Sequence, residues 1–169
     1  KSLGSANILN VAQATFVAEV IDRLDDLHVV LDTSGYASTE DFRRVVLRCN
    51  LVYFDLKVID PAGHARWTGV DNAPILANLD LLAGLGVPYV IRVPLVPGVT
   101  DTPDNLAAIA ARVKPLAGLE RVDLLPYNRA AGGKYQACGL AFQPGYDETQ
   151  PVNADPSAFE ADGIPVRVT

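Results

Sequence analysis

Four apolar segments alternate with helix-patterned stretches, and each of the four carries polar or charged residues at or near its carboxyl end. They are "LHVVLDT" (27–33), "LVYFDLK" (51–57), "PYVIRVPLV" (88–96) and "RVDLLPY" (121–127). Strands apolar along their whole length are buried on both faces, which is the condition of a parallel sheet covered by helices. The intervening segments supply those helices. One runs from about Thr15 to Leu24, with Phe16, Val20 and Leu24 sharing a face. "STEDFRRVVLRC" (38–49) starts with Ser38 as N-cap and Asp41 three residues on, as in a capping box. "PAGHARW" (61–67) is a short helix ended by Gly69. Asn72 caps a longer one carrying Ile75, Leu76, Leu79 and Leu82, which stops at Gly84 or Gly86. Thr102 as N-cap and Pro103 at the first helical position open a helix with Leu106, Ile109, Ala110 and Val113 inward. Beyond Asn128 the pattern loosens; residues 136–163 read as irregular loop and "IPVRV" (164–168) as a last short strand. The fold class is α/β, either an open doubly wound sheet or part of a (β/α) barrel. No repeat or internal boundary divides the 169 residues, so one domain is expected.

The strand ends hold the candidate chemistry. The first ends in Asp32-Thr33, the second in Asp55-Leu56-Lys57, the third carries Arg92, and the fourth ends in Tyr127-Asn128. In parallel α/β folds, ligands bind at the carboxyl edge of the strands. Asp55 and Lys57 are two residues apart and emerge on one face of an extended strand. Lys57 and Arg92 suit a carboxylate or phosphate; Asp32 and Asp55 suit an amine, hydroxyls or a small cation. A zwitterion such as an amino-acid moiety suits both sets. The plainer alternative is that Asp55 and Lys57 pair with Arg92 and Asp32 and cap the sheet edge, with Thr33 closing a turn at Gly35.

The remaining features bound the function. A net charge of −6 argues against a nucleic-acid or anionic-membrane surface, and no apolar run is long enough to span a bilayer. Without a signal-like leader, a cytoplasmic location is expected. Cys49 and Cys138 share no metal-ligand spacing with His28 or His64. Cys49 is read as a buried, inert thiol, and His64, on a short polar helix, as solvent-exposed.

The stretch "DLKVIDPAGHARWTGVDNAPILANLDLLAGLGVPYVIRVPLVPGVTD" (55–101), with "LDTSGYA" (31–37) and "LLPYNRAAGGKY" (124–135), resembles the radical S-adenosylmethionine activating enzymes of glycyl radical enzymes, the pyruvate formate-lyase activating enzyme among them. The resemblance covers roughly Ala18 to Tyr135. It implies a partial parallel (β/α) barrel of which about four of six βα units lie in this chain. It implies a four-iron, four-sulfur cluster on a C-x3-C-x2-C loop, S-adenosylmethionine chelating its open iron, and a 5′-deoxyadenosyl radical that takes hydrogen from a glycine of a partner glycyl radical enzyme. Carried over by position, Lys57 contacts the S-adenosylmethionine carboxylate. Asp32, Thr33 and Asp55 lie beside it, the two acids around a monovalent cation. Arg92 and Val93 line the same pocket, and Asn128 stands where the family has histidine.

Two departures set the expectations apart from the family pattern. The cysteine loop has no counterpart here, so the cluster ligands are missing and the chain by itself is expected to be inactive. The family's Gly-Gly-Glu-Pro strand end has its nearest equivalent in Gly4, Ser5, Ala6 and Asn7, without the acid, and residues 1–14 are atypical. The chain therefore reads as the carboxyl-terminal part of such an enzyme or, alternatively, as a pseudoenzyme or partner-binding module on the same partial barrel. On the first reading an apolar face or open strand edge is expected where further barrel units would pack.

Overall fold

The computed structural model describes residues 11–24, 26–128, 135, 137–139, 141 and 143–169. The Gly4–Asn7 stretch and the "RAAGGK" segment that follows Asn128 lie outside them. In chain order the elements are α1 (Val11–Ile21), β1 (Val30–Thr33), α2 (Thr39–Val46), β2 (Leu51–Asp55), α3 (Pro61–Thr68), α4 (Ala73–Gly84), β3 (Tyr89–Leu95), α5 (Pro103–Val113), β4 (Leu119–Pro126), α6 (Ser157–Glu160) and β5 (Val166–Val168).

The five strands form one sheet in the order β1-β2-β3-β4-β5, and every pairing is parallel. That order decides between the two α/β architectures. A doubly wound sheet reverses its strand order at a switch point, whereas right-handed crossovers that always advance in one direction keep their helices on one side. The sheet is a segment of a parallel (β/α) barrel.

Alternation along the strands separates two faces. Val52, Phe54 and Leu56 of the β2 segment, Ile91, Val93 and Leu95 of β3, and Val122 and Leu124 of β4 pack with Leu79 and Leu82 of α4 and Ile109 and Val113 of α5 in one core. The alternate residues Tyr53, Asp55, Arg92, Arg121 and Asp123 occupy the face turned away from that core.

Local chemistry fixes the helix starts. Ser38 Oγ accepts from the Asp41 amide at 3.1 Å and donates to Asp41 Oδ2 at 2.7 Å, closing the expected capping box. Thr102 caps α5 in the same way through the Asn105 amide, and Gly69 ends α3 in the left-handed conformation (φ 81°). Gly35 follows β1 at φ 71°, and a Cβ there would stand 2.3 Å from the Phe54 ring, so only glycine fits the turn.

Four details differ from the sequence reading. The first helix is Val11–Ile21 rather than 15–24; the face shared by Phe16 and Val20 is exposed, Phe16 by 66%, and Leu24 lies beyond the helix. Ala14 and Ala18 are buried, and the small Ala14 lets α1 approach α2 closely, where Val45 and Cys49 meet it. The last described loop contains α6, whose Phe159 enters the main core. Asn72 opens α4 without capping it through its side chain, since Asp71 accepts the Ala73 amide instead. His64 is buried, not exposed: its Nδ1 lies 2.9 Å from the Val70 carbonyl oxygen and 3.0 Å from Thr68 Oγ1.

β1 pairs only with β2 and forms an edge of the sheet among the described residues. Beside it, Phe16, Val20, Leu24, Leu27 and Val30 are all exposed. Among the described residues β1 is thus a sheet edge beside exposed apolar side chains.

Candidate functional site

The parallel register brings the predicted strand ends together. Asp32 lies opposite Tyr53, and Asp55 opposite Arg92. Arg92 Nη2 donates to Asp32 Oδ1 and, at 2.8 Å, to Asp55 Oδ1, which also accepts from Nε at 3.0 Å. Lys57 Nζ reaches Asp55 Oδ2 at 3.3 Å. The Tyr53 ring supports the cluster, with the Arg92 guanidinium carbon 5.3 Å from its centroid. Desolvation is the largest single influence on Arg92 and opposes its charge. The hydrogen bonds and charges of Asp55 and Asp32 together outweigh it, and the guanidinium's pKa is raised.

Two acids and two bases thus form one charge-balanced group at the carboxyl edge. The pairing foreseen as the plain alternative is present, and the group is still open to a ligand. The Asp32 side chain is 60% exposed and that of Lys57 34%. The Arg92 guanidinium spans the two acids expected to flank a monovalent cation and itself supplies the positive charge between them.

Period-two alternation removes two of the expected side chains from this group. Val93 points to the helix-side core and is fully buried there, so only its backbone can line a ligand pocket. Thr33 is likewise one residue out of phase with Asp32, and its Oγ1 accepts from the Gly35 amide at 3.0 Å, closing the turn. Asn128 lies two residues beyond β4 and is exposed. Next to it, Tyr127 donates to Glu148 at 2.6 Å and accepts from Tyr146 at 3.1 Å, the two rings meeting edge to face. Burial, then the bonds to Glu148 and Tyr146, push the Tyr127 phenol up.

Three buried asparagines, none singled out from the sequence as a site residue, hold the loops that carry the site. Asn105 accepts from the Ile59 amide at 3.0 Å and donates to the carbonyls of Lys57 (2.7 Å) and Thr100 (2.8 Å). Asn72 donates to the carbonyls of Val58 and Ile59. Asn78 donates to those of Gly35 and Ala37. A loop leaving a strand carries carbonyls with no ladder partner, and a carboxamide NH2 satisfies two of them at once. The signal in the sequence was an amide beside inward-facing apolar residues, Asn105 next to Leu106 and Asn78 next to Leu79.

Two cavities flank Lys57. One, of about 140 Å³, also takes in Asp55, Ser34 and the buried His64. The other, of about 290 Å³, lies between α3 and the end of β3. The thiols belong to neither. Cys49 is buried with its Sγ 3.4 Å from the Val45 carbonyl oxygen, and burial pushes its pKa up; Cys138 is exposed. They are the sequence's two cysteines, so the residues present do not fit an iron–sulfur cluster that needs three thiolates. Among the described residues no three His, Cys, Asp or Glu side chains are grouped as metal ligands, and no helix is long and apolar enough to cross a membrane.

A parallel sheet segment with a charged carboxyl edge defines the class as a partial (β/α) barrel. No family model matches the chain. It is 37% identical over 124 residues to the trans-4-hydroxy-L-proline dehydratase activating enzyme of Clostridioides difficile, covering 71% of this chain and 41% of that protein. It is 30% identical over 164 residues to the choline trimethylamine-lyase activating enzyme of Oleidesulfovibrio alaskensis, covering 95% and 50%. In structure it is similar to a domain of the pyruvate-formate lyase-activating enzyme of Bacteroides vulgatus, with TM-score 0.75, 25% identity, and coverage of 99% of this chain and 96% of that one. The chain is similar to activating enzymes of glycyl radical enzymes, and it spans about half the length of the curated relatives it matches.

Proposed function

We propose that the strand-end cluster is an S-adenosylmethionine site and that this chain is the carboxyl-terminal part of an activating enzyme for a glycyl radical enzyme. The observation that supports it most is the convergence of Asp32, Asp55, Lys57 and Arg92 from three strands onto one edge, in a chain with these relatives. The donor set fits the ligand's amino-acid end. Lys57 has a single carboxylate partner at 3.3 Å, so its ammonium can turn to a ligand carboxylate while Arg92 keeps Asp55 neutralised. Asp32, the more exposed acid, is the acceptor for the amino group. When bound, such a ligand supplies a 5′-deoxyadenosyl group for hydrogen abstraction from a glycine of the partner polypeptide. This chain's residues bind and orient it, and Asn105 and Asn72 keep the Lys57 loop in place.

The cysteine content supports a second, narrower statement. With two thiols that do not converge, this chain alone binds but does not carry out reductive cleavage; a partner-binding role on the same partial barrel is the corresponding alternative. Calorimetric titration with S-adenosylmethionine tests the site. Binding by the folded chain that is lost in both Lys57→Ala and Asp55→Asn supports it, and no heat from a folded chain refutes it.

A further inference from the structure

The larger cavity beside Lys57 has a chemistry of its own. Its walls are Trp67 of α3, Pro94 at the end of β3, Val96 and Val99 in the loop beyond, and Tyr146. The two hydroxyls at its edge are already committed. Thr100 Oγ1 accepts from the Val96 amide at 2.6 Å and donates to the Pro94 carbonyl; Thr68 Oγ1 donates to the His64 carbonyl at 2.7 Å. Tyr146 donates its own hydroxyl to Tyr127, so its ring and not its polar end is available to the cavity. The cavity therefore offers an occupant aromatic and aliphatic surface, with one charged group, Lys57, at the rim.

The walls are also fixed. Tyr127 leaves β4 and holds Tyr146 through both an edge-to-face contact at 5.6 Å and the hydroxyl bond, while Glu148 accepts from Tyr127. Gly145 brings the chain so close to Trp67 that a Cβ would stand 3.3 Å from the indole. A pocket of this size held by rigid aromatics is suited to one large side chain. A nucleobase or sugar would leave its polar edge unpaired there, which is unfavourable.

Lys57 belongs to the proposed S-adenosylmethionine site and also lines the apolar pocket, so the two adjoin at that residue. We propose that the pocket receives an apolar side chain of the substrate polypeptide next to the residue that loses hydrogen, and so sets which sequences are accepted. This rests on the activating-enzyme reading for the identity of the polypeptide, but the pocket's preference can be measured without it.

Trp67 is the only tryptophan of the sequence, so intrinsic fluorescence reports on the pocket wall. The probes are Ac-Ala-Ala-Gly-Xaa-Ala-Ala-NH2 peptides with Phe, Leu, Ser or Asp at Xaa, titrated into this chain with and without S-adenosylmethionine. The expected result is a shift of Trp67 emission that saturates at least tenfold earlier for Phe and Leu than for Ser and Asp. Val99→Phe, which fills the pocket, should erase that preference while leaving S-adenosylmethionine binding unchanged. Equal responses to all four peptides, no response to any of them, or a preference that survives Val99→Phe in a folded variant, overturns the proposal. A Phe and Leu preference in a chain that does not bind S-adenosylmethionine leaves the pocket standing and removes the cofactor reading instead.

Discussion

The two faces of β2 and β3 are built from alternate residues of the same short segments and do opposite work. On one face Phe54, Ile91, Val93 and Leu95 are fully buried against α4 and α5. On the other, Tyr53, Asp55 and Arg92 stand beside one another, held by ion pairs and a cation–ring contact. The first face carries the stability of the fold. The second keeps charges half-desolvated without apolar packing, an arrangement that contributes little net stability and marks a candidate site. A single residue's shift in register would exchange the two, which is why the strand sequences tolerate so little ambiguity.

Substitutions on the two faces should separate accordingly. Phe54→Ala on the packed face is expected to cost about 3–5 kcal/mol, since it removes a buried ring that also meets Phe42 edge to face at 6.0 Å. Urea unfolding would show it, and a cost near zero would mean the face is not the core. Asn105→Ala is expected to cost roughly 2–3 kcal/mol by stranding the Lys57 and Thr100 carbonyls and the Ile59 amide. It should also weaken ligand binding more than Phe54→Ala does, because the Lys57 loop is what it holds.

Tyr89→Phe should instead stabilise by about 1 kcal/mol, because the buried Tyr89 hydroxyl has no hydrogen-bond partner among the described residues. Burial also raises the Tyr89 phenol to about 12. A pKa raised above the unfolded value of about 10 gives stability that is complete below that value and is lost as pH rises through the folded one. The wild-type chain should therefore lose part of its stability between about pH 10 and 12, and the Phe variant should lose less over the same range. The smallest effect belongs to Asp32→Asn, whose exposed pair with Arg92 is worth roughly 0–1 kcal/mol in melting experiments. Its effect on ligand binding should exceed its effect on stability.

Much of this was legible in the sequence because two periodicities and a few caps specify it. The α5 start at Thr102–Pro103, the Ser38–Asp41 box and the Gly69 stop are local and were read at their positions. So was the meeting of Asp32, Asp55, Lys57 and Arg92 at one edge, since it follows from strand ends in a parallel sheet. Barrel against doubly wound sheet was not legible from pattern, because strand order is a tertiary fact. Alternation along β3 turns the Val93 side chain to the core and leaves its backbone as the part that can line the pocket expected beside Arg92. The shared face of Phe16 and Val20 was legible, but which way α1 turns was not, since close packing on α2 falls to the small Ala14. His64 looked polar and exposed, but its bonds to Thr68 and the Val70 carbonyl close the end of α3 and cannot be read from composition.

The most direct test of the central claim, that Lys57 receives a ligand carboxylate at this edge, compares S-adenosylmethionine with its decarboxylated analogue on two proteins, wild type and Lys57→Ala. In calorimetry the wild type should bind S-adenosylmethionine at least tenfold more tightly than the analogue, and Lys57→Ala should bind the two alike, so that carboxylate and ammonium are coupled as a pair. If the wild type does not distinguish the two ligands, or if Lys57→Ala still does, the carboxylate is not held by Lys57 and the account of the strand-end cluster is wrong.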